Sequence, residues 1–254
     1  MKTIVSIEGI NYEADLNEPQ SLSLGFGPQA ENPNAFFINP AVFEPIRVGD
    51  FVGSVAMGSG ANCEVVTYCA HGNGTHTECL GHITPERIHL PDVLTEFHFS
   101  AQVITVELAQ ENGDWVINEW SLQHINWIKA EAIVIRTLPN SVSKKSQIWS
   151  GNNPPYFTTG AMQLMVNQGY QHLLTDFPSV DPEEDAGALA AHRIWWNYPQ
   201  NPRKNATITE LIFVPDSVQD GLYLLNIQVP KIHSDAVPSQ PVLYGLKQLS
   251  DSEN

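Results

Sequence analysis

Residues 71–82 read His71-Gly72-Asn73-Gly74-Thr75-His76-Thr77-Glu78-Cys79-Leu80-Gly81-His82. Three histidines and one carboxylate thus fall within twelve residues, with three glycines among them. Glycines let the backbone bend sharply, so side chains that are close in sequence can converge on one point. His76 and Glu78 are two residues apart and share one side of an extended segment. His82 follows Glu78 by four residues, which is far enough along the chain to reach the same point from another direction.

The donor types in this stretch favour a metal site. Imidazole and carboxylate together suit a borderline divalent ion such as Zn²⁺ or Mn²⁺. The pattern differs from the helical His-Glu-x-x-His motif, because Glu78 does not directly follow His76. Each of these residues, taken alone, is more often an ordinary polar side chain than a ligand, and it is the four together in a glycine-rich stretch that favour a metal site. Cys79 is either a thiolate ligand or a buried, inert cysteine, and a single such residue favours the second interpretation.

Length and charge limit the classes of function. A chain of 254 residues can bury a substantial core in a single domain. Twelve basic residues against 28 acidic ones give a formal charge of −16. This balance argues against nucleic acid and anionic membrane surfaces as partners, because both call for basic patches. Bound divalent cations would offset part of the negative charge.

The cysteines and the N-terminus suggest a location. The three cysteines, Cys63, Cys69 and Cys79, are odd in number and are typical of reduced thiols rather than of a disulfide framework. Residues 1–8 turn polar too soon for a signal peptide, and no apolar run is long enough to span a bilayer. We therefore expect a cytoplasmic protein.

Hydrophobic patterning predicts alternating strands and helices. Strands are expected at 3–7, 51–57, 62–68, 102–108, 132–137, 172–178, 207–214 and 221–229, with a hairpin around Gly58-Ser59-Gly60. Helices are expected at 121–129, at 158–168 with Thr158 or Thr159 as N-cap and Gly169 as its end, and at 182–196. This order predicts one mixed α/β domain over residues 1–254.

Residues 9–50 carry several Pro, Gly and Asn and little periodicity, which indicates a long irregular arm. A loop of this length in a compact domain is usually functional or misassigned. Phe36, Phe37 and Phe43 in this arm either wall a substrate pocket or pack onto the core or a partner subunit.

Four ordered motifs resemble the cyclase family of metal-dependent hydrolases, which includes bacterial kynurenine formamidase and isatin hydrolase. The first motif is Gly74-Thr75-His76-x-Glu78 with His82, similar to the family's His-x-Gly-Thr-His-x-Asp-x-Pro-x-His. The others are Thr175-Asp176-Phe177-Pro178-Ser179-Val180-Asp181, then Ala191-His192-Arg193, then Thr209-Glu210-Leu211 before Gly221-Leu222-Tyr223. Together they cover residues 62–230.

The resemblance implies a swivelling β/β/α fold and a homodimer or larger homo-oligomer. It also implies one or two divalent ions, with Zn²⁺ favoured and Mn²⁺ as the alternative. One ion would be held by His71, His76 and Glu78, and the other by Glu78, His192 and Glu210, with Glu78 bridging. His82 would be the general base, although a metal-ligand role for His82 stays open. Asp176 would either orient a ligand histidine or simply belong to the turn before Pro178.

The chain departs from the family pattern at three points of the first motif. Glu78 replaces the usual aspartate, and Leu80 replaces a proline. His71 precedes His76 by five residues instead of four, so that Asn73 looks like an insertion and leaves the role of His71 open. The family's common N-terminal Trp-Pro-Gly segment is also missing. These departures bear on the individual substrate more than on the hydrolase class.

The residues and the resemblance lead to one functional hypothesis with two alternatives. We expect a metal-dependent hydrolase that cleaves an amide, formamide or cyclic amide C–N bond of a small molecule through metal-activated water. The alternatives are a lactone hydrolase and a non-catalytic protein of the same fold that binds a metal or a small ligand.

Overall fold

The computed structural model describes residues 1–28 and 31–250. Within them the strands are β1 (Lys2–Ile7), β2 (Ile10–Asp15), β3 (Gln20–Ser21), β4 (Val42–Pro45), β5 (Arg47–Val48), β6 (Phe51–Val52), β7 (Glu64–Thr67), β8 (His76–Cys79), β9 (His98–Glu107), β10 (Ala109–Glu111), β11 (Asp114–Ile117), β12 (Ala132–Leu138), β13 (Tyr156–Phe157), β14 (His172–Thr175), β15 (Thr207–Glu210), β16 (Gly221–Gln228), β17 (Ala236–Pro238) and β18 (Gln240–Gln248). The α-helices are α1 (Ala70–Asn73), α2 (Leu90–Val93), α3 (Thr159–Asn167) and α4 (Ala190–Trp196), and 3-10 helices cover Val55–Met57, Leu80–Ile83 and Val142–Ser146.

One 11-stranded mixed sheet dominates the fold. Its order is β1-β2-β18-β16-β9-β12-β14-β15-β8-β17, with β3 paired to β18. Strands β9, β12, β14 and β15 run parallel in the middle. Strands β16 and β8 pair antiparallel at either side of this parallel group. The predicted α/β class is confirmed by this large mixed sheet with a few helices.

Strand β12 shows why the sequence predicts the strands in the middle of the sheet. Its first six residues are all buried. Ile133 and Ile135 belong to the core cluster that contains Met162 of α3, whereas Val134 belongs to a second cluster with Leu225. A strand covered on both faces has no polar side, so it reads as a continuous apolar run.

Helix α3 follows its predicted signals. The side chain of Thr158 accepts a hydrogen bond from the backbone N–H of Ala161 at 3.2 Å, as an N-cap does. Gly169 lies just beyond the helix with φ of +90°, a left-handed conformation that favours glycine.

The helix expected at 121–129 is wrong. The side chain of Asn118 accepts a hydrogen bond from the backbone N–H of Ser121 at 3.0 Å and forms a turn. Gln102 on β9 then donates to the carbonyl of Asn126 and accepts from the N–H of Ile128, both at 2.8 Å. These side-chain bonds take backbone groups that a helix would need.

The helix expected at 182–196 begins only at Ala190. The Asp185 carboxylate accepts from the backbone N–H groups of Gly187 at 2.8 Å and Leu189 at 2.6 Å, which stabilises a turn instead. Ala186 and Leu189 have φ of 54° and 47°, in the left-handed region, so the chain cannot run into the helix from further upstream.

The hairpin expected between 51–57 and 62–68 is also wrong. Strand β6 ends at Val52 and pairs with β5, while β7 pairs with β4. The side chain of Asn62 accepts from the backbone N–H of Val55 at 2.9 Å, at the start of a 3-10 helix. The intervening residues therefore form a turn structure rather than a strand.

The two ends of the chain hold more strand than the sequence indicated. Strand β2 lies inside the arm expected to be irregular and pairs with β1 and β18. Strands β17 and β18 were not predicted, and the strand expected at 207–214 ends at Glu210. Among residues 1–28 and 31–250, no helix is both long enough and apolar enough to cross a membrane.

Candidate metal centre

Strands β8 and β15 place the first three site residues. In their antiparallel register Glu210 lies opposite His76, and Ile208 lies opposite Glu78. Residues directly opposite one another project on the same face of a sheet, and His76 Nε2 accordingly lies 3.3 Å from Glu210 Oε2. On the other face, the hydroxyls of Thr77 and Thr209 are 2.7 Å apart and hydrogen-bond each other.

Helix α1 brings His71 to the same point. His71 Nδ1 lies 3.2 Å from Glu78 Oε2. The additional residue Asn73 is buried within the turn, where its side chain accepts from the N–H of Cys69 at 2.7 Å and donates to the carbonyl of Asn39 at 3.2 Å. The turn therefore accommodates the extra residue, and His71 still points at Glu78.

His192 reaches Glu78 from helix α4. Its Nε2 lies 3.2 Å from Glu78 Oε1, and its Nδ1 lies 2.6 Å from Asp181 Oδ2. The Asp181 carboxylate also accepts from the backbone N–H groups of Ala191 at 2.7 Å and His192 at 3.0 Å. One buried carboxylate thus fixes both the start of the helix and the imidazole ring.

His82 lies at the edge of this group. It follows β8 in the 3-10 helix Leu80–Ile83, and its Nδ1 is 3.8 Å from Glu78 Oε2 and 3.4 Å from Asp235 Oδ2. His71 and His82 are each 27% exposed, and Asp235 is 35% exposed, whereas His76 and Glu78 are fully buried. The side with His71, His82 and Asp235 is therefore the open side of the site.

Three of the histidines share one hydrogen-bonding pattern. The outer nitrogen faces an oxygen: Asp235 Oδ2 at 3.0 Å for His71, the carbonyl of Gly74 at 3.1 Å for His76, and Asp181 for His192. The inner nitrogen faces Glu78 or Glu210. Histidines that bind a metal are oriented in this way by an acceptor on the second ring nitrogen.

The inner atoms fit a divalent cation. His76 Nε2 and Glu78 Oε2 are buried and make no hydrogen bond of acceptable geometry, and buried polar atoms without a partner call for one. Ligand atoms of His71, His76 and Glu78 all lie within 4.8 Å of one another. The same is true of Glu78, His82 and His192. Glu78 belongs to both groups, as a bridging carboxylate would.

The predicted second ligand set is arranged differently from the expectation. Glu210 contacts His76 through Oε2, and its Oε1 accepts from the backbone N–H of Val180 at 3.0 Å. His82, expected as the base, lies within ligand distance of Glu78 and His192. The structure therefore brings all six predicted site residues together, with Glu210 beside His76 and His82 beside the Glu78–His192 pair.

Electrostatics favour a charged site. Burial opposes ionisation of Glu78, but His82 and His192 outweigh it and hold the pKa of that carboxyl well below its usual range. Burial lowers the pKa of His192, yet Asp181 and Glu78 raise it to about 10. The pKa of His71 is likewise lowered by burial and raised to about 10 by Asp235 and Glu78. The negative charge of these carboxylates thus stabilises positive charge among the site histidines.

Cys79 is a buried thiol. It alternates with Glu78 along β8 and belongs to the core cluster on the opposite face. Its Sγ lies 3.5 Å from the carbonyl of Ile88, to which the thiol donates. Burial raises its pKa to about 12. This agrees with the inert cysteine favoured from the sequence.

Asp176 does not orient a ligand histidine. Its carboxylate accepts from Thr137 N and Oγ1, each at 2.9 Å, and from Lys144 Nζ at 2.8 Å. The orienting carboxylates are instead Asp181 and Asp235. Asp181 ends the motif at 175–181, in which the sequence assigns it no role. Asp235 has no sequence signal, because only the pairing of β17 with β8 brings its segment to the site.

The three phenylalanines of the arm mainly pack. Phe36 packs against the core cluster that contains Met162 of α3. Phe43 lies 6.1 Å from Phe26, ring centre to ring centre, and Phe26 also contacts Tyr68 at 5.8 Å. Phe37 is 69% exposed.

The cyclase family model, described as "Putative cyclase", matches residues 20–182. The chain belongs to the cyclase family. The match spans more than half of the sequence and includes both the 71–82 cluster and Asp181. His192 and Glu210 lie beyond its C-terminal limit. No curated protein sequence matches the chain significantly.

Solved structures share the cyclase fold at low sequence identity. A predicted metal-dependent hydrolase from Bacillus stearothermophilus has 13% identity and a TM-score of 0.62, covering 89% of this chain and 98% of its own. Isatin hydrolase A from Labrenzia aggregata, bound to benzyl benzoate, has 13% identity and a TM-score of 0.63, covering 89% and 93%. Similarity at this identity establishes the fold alone.

Proposed function

We propose that this cyclase-family protein is a metal-dependent hydrolase that cleaves the C–N bond of an amide, formamide or cyclic amide in a small molecule. The observation that carries the proposal is the convergence of His71, His76 and His192 on two buried carboxylates, Glu78 and Glu210. Each ring presents one nitrogen inward and has an oxygen facing the other, an arrangement suited to binding a cation rather than to packing alone.

We assign one or two divalent ions to the space between the inner ligand atoms of the site. His71, His76 and Glu78 would hold one divalent ion, and Glu78 with His192 would contribute to a second. Glu210 would support the first through its contact with His76. Two imidazoles and a carboxylate favour Zn²⁺, with Mn²⁺ as the alternative. When bound, such an ion lowers the pKa of water and polarises a carbonyl oxygen.

His82 suits the proton-transfer role. It lies on the open side, where substrate can reach it, and its Nδ1 is 3.4 Å from the Asp235 carboxylate. His82 would take the proton from the attacking water and return it to the nitrogen of the leaving group. Asp235 would orient the ring for both transfers. The buried histidines behind it are shielded from solvent and do not serve this role.

The isatin hydrolases that share this fold suggest which substrates to test. One isatin hydrolase of the same fold is bound to the product analogue thioisatinate, at 13% identity and a TM-score of 0.62. Purified protein should therefore be assayed with isatin, N-formylkynurenine and simple lactones, with metal content measured by mass spectrometry on the same sample. Turnover of an amide substrate supports the proposal. Turnover of lactones alone favours the lactone hydrolase, and bound metal without turnover favours a non-catalytic binding protein.

Self-association is a separate proposal. The segment from β5 to β7 exposes Val48, Val55, Met57 and Val65 by 49% or more, and exposed apolar residues concentrated in one part of a chain commonly mark subunit interfaces. We propose a homodimer formed through this segment. Light scattering during gel filtration should give a mass near twice 28.1 kDa, and a mass near 28.1 kDa would contradict it.

A further inference from the structure

A second group of metal-ligating side chains lies on the surface outside the candidate centre. His89 Nδ1 is 3.6 Å from Asp92 Oδ2, and His233 Nδ1 is 3.9 Å from the same oxygen. The two imidazole rings are 5.3 Å apart and edge-on. Ligand atoms of the three residues all lie within 4.8 Å of one another.

The backbone holds these residues in place independently of their side chains. His89 immediately precedes α2, and the N–H of Asp92 donates to the carbonyl of His89 at 3.0 Å. The N–H of Leu90 donates to the carbonyl of Ser234 at 2.8 Å, which joins α2 to the segment bearing His233. Leu90 itself is fully buried and anchors the helix.

The spacing of these side chains leaves room for an ion between them. Both contacts to Asp92 exceed the length of a normal hydrogen bond. Two ligands at about 2.0–2.1 Å from a tetrahedral zinc ion are about 3.3 Å apart. Shortening the 3.6 Å and 3.9 Å contacts to Asp92 by about 0.3 Å and about 0.6 Å would bring these two pairs to the separation of zinc ligands.

We propose that His89, Asp92 and His233 form a second, surface site for a borderline divalent cation, with Zn²⁺ as the best fit. Two imidazoles and one carboxylate are a zinc donor set and a poor one for Mg²⁺ or Ca²⁺, which prefer oxygen. Water would complete the coordination, because Asp92 and His233 are 59% and 54% exposed.

The proposed site joins two segments of the chain. His89 and Asp92 belong to α2 and the residue before it, whereas His233 belongs to the loop after β16 that leads to Asp235. A cavity of about 270 Å³ between them is lined by Gly81, Arg87, His89, His233 and Asp235. A bound ion would therefore hold the loop that presents Asp235 to His71 and His82.

Zinc stoichiometry at a fixed micromolar free concentration tests the site. His233→Ala and Asp92→Asn should each lose about one equivalent of zinc by mass spectrometry relative to wild type. His124→Ala replaces an exposed histidine elsewhere and should lose none. The same comparison should be repeated in a His76→Ala background. That change removes a ligand of the candidate metal centre, so the zinc that remains reports on the surface site. Equal zinc in His233→Ala and His124→Ala would overturn the proposal.

Hydrogen exchange supplies an independent readout. Added zinc should slow amide exchange in residues 230–235 of wild type and of His124→Ala, and should leave it unchanged in His233→Ala. A large excess of Mg²⁺ should not reproduce the protection. Slowing of the same size in His233→Ala would show that zinc acts elsewhere and would contradict the surface site. Thermal unfolding of each variant confirms that the compared proteins are folded.

Discussion

The imidazole of His192 and the carboxylate of Asp181 are joined by a 2.6 Å contact between Nδ1 and Oδ2. The same carboxylate binds the first backbone N–H groups of α4. Asp181 therefore sets the position of the helix and the orientation of a candidate ligand together. It leaves Nε2 of His192 directed at Glu78.

This relationship predicts the effect of Asp181→Asn. The asparagine keeps the size of the side chain but weakens its hold on the ring. Loss of an orienting carboxylate typically costs about 10–100-fold in metal affinity, and we expect a loss of that size in competition titrations with a chelator. Asp114→Asn, at a surface aspartate bonded to Asn153 and Tyr156, should bind as wild type does. Unchanged affinity in Asp181→Asn would remove His192 from the proposed ligands.

His82→Ala separates the proposed base from the proposed ligands. General acid–base catalysis contributes about 10²–10⁴-fold, so turnover of the best substrate should fall by that factor while metal content stays near wild type. Both quantities should be measured on one preparation. If the variant loses its ion together with its activity, His82 is a ligand instead, as its proximity to Glu78 and His192 would allow.

The parallel core and α3 were predictable because their signals are local. The first four residues of β12 are apolar, and Thr158 and Gly169 mark the ends of α3. Strand β8 was not predictable, because His76, Thr77 and Glu78 do not read as a buried strand. It is buried because its polar side chains find partners, Thr77 bonding Thr209 and Ser239.

Only part of the candidate site could be predicted from the sequence, because only some of its residues are close together in the chain. His71, His76, Glu78 and His82 are close in sequence, so their convergence follows from local chain bends. Asp235 is 164 residues from His71, and no local pattern marks it. Its position depends on the strand β17, which itself depends on pairing with β8.

Lys144→Met tests the buried ion pair between Lys144 and Asp176, the residue that follows β14. Lys144 Nζ lies 2.8 Å from the fully buried Asp176 carboxylate, and burial raises the pKa of Asp176. Removing the cation leaves a buried carboxylate without its charge partner, which typically costs about 3–5 kcal/mol. Urea unfolding should show this loss, and Lys145→Met at the neighbouring residue should show much less. A loss below about 1 kcal/mol would mean that the Thr137 hydrogen bonds alone satisfy Asp176.

His172 predicts a pH dependence of stability. Burial, with Arg203 nearby, lowers its pKa to about 4 from an ordinary value of 6.5. Between these values the unfolded chain takes up a proton that the folded chain refuses. Stability from this group is therefore full above pH 6.5 and declines as pH falls towards 4. At pH 5 the loss is about 2 kcal/mol.

His172→Asn removes this titration and keeps a polar partner for Thr207, which lies 2.8 Å from His172 Nδ1. The free energy of unfolding should be measured at pH 7 and pH 5 for both proteins. The decrease should be about 2 kcal/mol larger in wild type. An equal decrease in both would show that His172 carries a proton in the folded state as well.

If Glu78 is the shared carboxylate of a divalent-metal centre, the centre should lose its ion in Glu78→Gln. Gln keeps the shape of a fully buried side chain and removes its charge. Metal content should be measured by mass spectrometry on wild type, on Glu78→Gln and on Glu96→Gln, an exposed control, all shown to be folded by circular dichroism. Among the three proteins, only Glu78→Gln should lose the central metal. Folded Glu78→Gln with the same metal content as wild type would contradict it.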